Sequence, residues 1–171
     1  MTYLYTKPYY YQIKKQRQKL LTIYLILLGL ALLGLVGIIL FYAFQPYGTN
    51  LKLPLQISMF ALIVVFTLFS GVYLTIIYGR VNKYYHFLNS LSRGKKLSNS
   101  VTVISINYGD LRTNFGVDFY TMEVLEWSSS QDDYVKHNLL IDNEFKNLDI
   151  NEGDMLTVTS SLNVLMEYNK N

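Results

Sequence analysis

Two stretches without a single charged residue, residues 20–51 and 53–79, constrain this sequence more than anything else in it. Only Lys52 separates them. Each is longer than the ~20 apolar residues that carry a helix across a bilayer. The expectation is a transmembrane helical hairpin, which excludes an ordinary soluble enzyme. Hydrophobic residues make up 51% of the chain, too many for a disordered one. There is no cysteine, so disulfides, thiolate metal sites and cysteine nucleophiles are excluded.

Charge divides the 171-residue chain. Residues 1–100 hold eleven Lys and Arg and no acid, a net +11. Residues 101–171 hold four basic residues and all twelve acids, a net −8. Lys7, Lys14, Lys15, Arg17 and Lys19 precede the first apolar run; Arg80, Lys83, Arg93, Lys95 and Lys96 follow the second. Cytoplasmic flanks carry the excess of cations, so both termini are expected in the cytoplasm, at the plasma (cell) membrane, with a short outside loop over residues 45–53. A cleavable signal peptide is not expected. The first run is about twice the length of a signal h-region and no small-x-small site follows it.

The spans read as residues 20–44 and 54–78, each about 37 Å long at 1.5 Å per residue. Pro54 suits a first helical turn, and residues 45–50 carry turn chemistry. Tyr42, Phe44, Tyr47, Tyr78, Tyr84 and Tyr85 fall where aromatic rings favour the membrane interface. Neither span holds an ionisable group at mid-depth, which a transport path would usually require. Thr67, Gly71 and Thr75 recur every four residues as a small-residue stripe, with Gly34 and Gly37 on the first span. Such faces either pack the two spans together or admit a partner.

The juxtamembrane segments mix cations with aromatics. Lys14, Lys15, Arg17, Lys19, Arg80, Lys83, Arg93, Lys95 and Lys96 are the candidate membrane-surface residues, with anionic lipid as their counterpart. Val81, Tyr84, Leu88 and Leu91 recur at helical spacing, which predicts an amphipathic connector stopping near Gly94.

From Val101 the period changes to two. Runs at 101–106, 117–127, 134–141, 155–159 and 164–168 read as five strands, with one helical turn expected within 142–148. The expected fold class is therefore α+β: a transmembrane hairpin, then a small antiparallel β barrel or sandwich of OB-like or SH3-like shape. The expected organisation is a basic aromatic segment (1–19), the hairpin (20–79), the connector (80–97) and an acidic β module (98–171) able to fold alone.

Candidate chemistry in the module is sparse. Asp133 and His137 share a strand face but make no triad or complete metal site. Residues 149–154 faintly resemble a calcium loop, but the glycine is one position early and no Glu sits at the twelfth position. Glu123 and Glu126 fall on opposite strand faces. No catalytic residue, metal ligand or cofactor is assigned. A module at −8 repels phosphate, so no nucleic acid is expected. The expected function is a non-enzymatic membrane anchor and scaffold whose partner is another membrane or cytoplasmic protein, or a homo-oligomer. The alternative is a component of a transport assembly built from oligomerised hairpins.

Overall fold

In the computed structural model, which describes residues 2–46, 50–128, 130–145 and 148–170, two long apolar helices precede a closed five-stranded β barrel, an α+β arrangement. Two compact units divide the chain: Lys14–Asn82, and Met1–Ile13 together with Lys83–Asn171.

Helix α1 spans Lys7–Ala43. Pro8 lies in its first turn, where a missing N–H costs nothing, and the Thr6 hydroxyl accepts the Tyr9 N–H at 3.4 Å. Of the expected turn at 45–50, Tyr47, Gly48 and Thr49 lie outside the described residues. Helix α2 (Lys52–Val72), a π-helical segment (Tyr73–Tyr78) and helix α3 (Gly79–Arg93) follow one another without a break. A Cβ on Gly79 would stand 2.9 Å from the Leu74 carbonyl oxygen, so the wide turn closes on a residue without a side chain. Both apolar helices are long enough to cross a membrane.

Aromatic rings join the two apolar helices. Tyr24 stacks on Phe66 and on Tyr73, with centroids 6.4 Å and 5.7 Å apart. The Tyr73 hydroxyl donates to the Leu20 carbonyl at 2.9 Å. The Gln56 amide donates to the Tyr42 hydroxyl at 3.0 Å. The glycines of these helices stand apart from the contact: a Cβ on Gly29, Gly34, Gly37 or Gly71 would meet nothing within 4 Å.

The barrel uses β2 (Leu97–Asn114), β3 (Val117–Ser128), β4 (Asp133–Asp142), β5 (Met155–Ser161) and β6 (Val164–Lys170). Each expected run falls inside one of these strands. The expected turn near Gly109 is instead part of β2: residues 108–111 bulge out between Asn107, paired with Thr121, and Arg112, paired with Phe119. The expected helical turn is a single 3-10 turn, Asn143–Phe145.

Strands pair in the order β2-β3-β4-β6-β5, and β5 returns to β2. All pairs are antiparallel except β4 with β6, which are parallel and meet only at Leu140 and Val164. The expectation of a purely antiparallel barrel fails there, because the long β5–β6 hairpin returns beside β4 in β4's own direction. That seam is filled by β1 (Thr2–Tyr3), which pairs antiparallel with Tyr168 and Glu167. The Leu4 N–H then donates to the Met166 carbonyl at 2.9 Å.

Strand periodicity serves two cores at once. Even positions of β3 (Tyr120, Met122, Val124) point into the barrel with Val103, Ile141, Leu156, Leu165 and Leu4. Odd positions at its start (Val117, Phe119) face α3, whose Phe87, Leu88 and Leu91 are buried there. The apolar face of the connector thus covers the barrel.

Candidate functional site: a buried carboxylate held by tyrosines

Asp142 ends β4 directly after Leu139, Leu140 and Ile141. Alternation sends Leu139 and Ile141 into the barrel and turns Asp142 toward the second core, beside its register partner Phe119. Asp142 is only 1% exposed, and among the described residues no cation forms an ion pair with it. A buried carboxylate needs donors, and three converge on it. The Tyr84 hydroxyl donates to Oδ2 at 2.6 Å, the Tyr5 hydroxyl donates to the same oxygen at 3.0 Å, and the Glu144 N–H donates to Oδ1 at 3.1 Å.

The hydrogen-bond direction follows from this. Tyr84 spends its one proton on Asp142, so the contact between the Tyr9 and Tyr84 hydroxyls at 3.0 Å requires Tyr9 to donate. Protons therefore point one way, from Tyr9 to Tyr84 to Asp142, with Tyr5 arriving from the side. Phe145 packs edge-on against Tyr5 at 5.2 Å, and Phe87 against Tyr5 at 6.2 Å. Burial, and after it the negative charge of Asp142, pushes the Tyr5 and Tyr84 phenols well above their ordinary value. Burial also raises Tyr9. All three phenols are locked as donors at neutral pH. The cluster therefore acts as a clamp: it ties the segment before α1 and helix α3 to the end of β4, through hydrogen bonds spanning 137 and 58 residues of sequence.

The residues singled out in the sequence stand elsewhere. Gly34, Gly37, Thr67, Gly71 and Thr75 are all exposed. A Cβ built on Gly34, Gly37 or Gly71 meets nothing within 4 Å. Lys14, Lys15, Lys19, Arg80, Lys83, Arg93, Lys95 and Lys96 are exposed, and Arg17 is half-buried. Tyr84 belongs to the clamp, and Tyr85 accepts a hydrogen bond from Tyr10 at 3.1 Å.

Within the module the carboxylates are engaged one by one. Asp133 accepts the Tyr134 N–H at 2.6 Å, and His137 pairs across the ladder with Val124. Glu123 meets Lys136 at 3.4 Å, while Glu126 accepts from Asn99. The 149–154 loop is filled by the Lys170 ammonium, 3.0 Å from Asp154 and 3.5 Å from Asp149. The Asn151 N–H and that ammonium hold the Asp154 carboxyl below its usual range. Among the described residues no three His, Cys, Asp or Glu side chains gather as a metal site.

Sequence reasoning missed the clamp. Its signal was an acid closing the apolar run Leu139-Leu140-Ile141, together with Tyr5 and Tyr9 four residues apart where helix α1 begins. No known protein family, curated protein or solved structure matches the chain.

Proposed function

We propose that this protein is a two-pass membrane anchor and scaffold, an accessory subunit that holds a small barrel at the cytoplasmic face and docks another membrane protein through its spans. The observation that carries the reading is the open small-residue face of the hairpin. Gly34, Gly37 and Gly71 have empty space where a side chain would stand, and Thr67 and Thr75 are exposed beside Gly71. The chain's own helices are joined by aromatic rings instead, so the stripe is left for a second helix to approach.

Topology is supported from two directions. The cations flank both open ends of the hairpin. The barrel unit also draws on residues before α1 and after α2, which supports a topology with both ends of the hairpin on one side of the membrane. The barrel itself is read as OB-like, since five strands in this Greek-key order close into one small barrel. Its acidic surface suits a basic protein patch.

Cysteines placed at Thr67 and Thr75, in a chain with none of its own, test the reading. Crosslinks to a second membrane protein that co-purifies in mild detergent are expected, and Gly71→Leu should lower that yield while the chain stays folded. Crosslinks confined to one chain, with nothing co-purifying, would sink it. Crosslinks between copies alone would turn the assignment to the oligomeric transport alternative.

A further inference from the structure

Beside the clamp, within the barrel unit, lies a groove of about 450 Å³. Its floor is Leu88, Leu91 and Met166, all buried. Tyr10 stands at its side, and Lys7 and Lys96 line it from exposed positions. No carboxylate lines it, and neither lysine takes part in an ion pair among the described residues. The volume lies in the range of about 300–1,000 Å³ that holds small molecules.

The two halves of this lining ask for different things. The rings of Tyr10 and Tyr11, which stay open above the buried floor of Leu88, Leu91 and Met166, gain by covering an apolar body. Two ammonium groups without counter-charges gain by meeting an anion. A lipid headgroup offers both, but Lys14, Lys15, Arg17 and Lys19 stand in sequence between the groove residues and the apolar run. Those four already supply cations for an anionic headgroup next to the apolar run, which leaves Lys7 and Lys96 for a soluble ligand.

We propose that this groove binds a small organic anion, a phosphate or carboxylate carried on an apolar body. The anionic end lies between Lys7 and Lys96, and the body packs against the rings of Tyr10 and Tyr11 above the floor of Leu88, Leu91 and Met166. The site is independent of the membrane partner proposed above, since no residue of the Thr67/Gly71/Thr75 stripe lines it.

Phenyl phosphate is a suitable probe, titrated into the full chain in uncharged detergent and followed by phosphorus NMR line width. Saturable binding is expected, with inorganic phosphate at least about tenfold weaker. The double variant Lys7→Gln/Lys96→Gln, changed only at exposed positions, should weaken binding on the order of tenfold. Lys7→Arg should retain it. Ser92→Trp places an indole in the groove from an exposed lining position and should abolish it, with an unchanged melting temperature showing that the fold persists. Equal affinity for inorganic phosphate would overturn the proposal, as would binding indifferent to both lysines. An anionic phospholipid retained on those lysines, seen by native mass spectrometry, would overturn it too by giving the groove to the membrane.

Discussion

Replacing Tyr84 by Phe removes one oxygen and leaves the ring, so it isolates the clamp from the packing around it. The change deletes the 2.6 Å hydrogen bond to Asp142 Oδ2 and strands the proton of Tyr9, whose acceptor was the Tyr84 oxygen. Asp142 is 1% exposed and keeps two donors, Tyr5 at 3.0 Å and the Glu144 N–H at 3.1 Å. A hydrogen bond to a charged group contributes about 1.5–3 kcal/mol. We expect a loss of about 2 kcal/mol for Tyr84→Phe and somewhat less for the longer Tyr5 bond. A domain of this size moves about 4 °C per kcal/mol, so the barrel unit should melt about 8 °C lower. Thermal unfolding of the detergent-solubilised chain, read by near-ultraviolet tyrosine dichroism, measures it. In an Asp142→Asn background the same Tyr84 change should cost about half as much, because the bond is no longer charge-assisted. A Tyr84→Phe chain that melts within a degree of the parent, or the same loss in both backgrounds, would refute the claim that Asp142 holds these segments together.

Three further outcomes follow from the same geometry. Leu4→Ala empties a site only 6% exposed inside the barrel core and should cost about 2–4 kcal/mol in chemical denaturation of the full chain; a loss under 0.5 kcal/mol would mean that the N-terminal segment is not part of the core. Folded Tyr5 and Tyr84 resist ionisation above the ordinary phenol value of 10.0, so their contribution to stability is complete below that pH and declines as the pH rises beyond it. Tyrosinate absorbance during alkaline titration should therefore lag in the folded chain and catch up on unfolding, with the lag reduced in Tyr5→Phe. Gly94→Ala drives a methyl group into Ser161 Oγ, a buried side chain, and should destabilise by about 1–3 kcal/mol; an unchanged melting temperature would show that the loop after α3 gives way freely.

The strands were legible because periodicity is local. Val101, Val103, Val117, Phe119, Leu156 and Val158 announce their faces within a few residues, and each lies buried in its strand. The two long apolar helices were legible because lack of charge is local too. The clamp was not, because it depends on residues 137 positions apart, and nothing near Tyr5 in the sequence points to Asp142. Tyrosines beside lysines read naturally as membrane-facing, yet Tyr5 and Tyr9 pack against the module. Leu88 and Leu91 showed the correct helical face, but periodicity says only that a face is apolar and not what covers it. A barrel expected to fold from residues 98–171 alone therefore omits Phe87, Leu88 and Leu91, which cover Val117 and Phe119, and Leu4, which enters its core.

The seam between β4 and β6 also sets a timetable. Thr2, Tyr3 and Leu4 leave the ribosome before both apolar helices, and Met166, Glu167 and Tyr168, which they pair with, leave it after β2, β3, β4 and β5. Until β6 is made, the segment before α1 has no strand to join, although both apolar helices have already emerged. The barrel can close only once β6 exists, so a chain interrupted anywhere between α1 and β6 leaves Thr2, Tyr3 and Leu4 undocked.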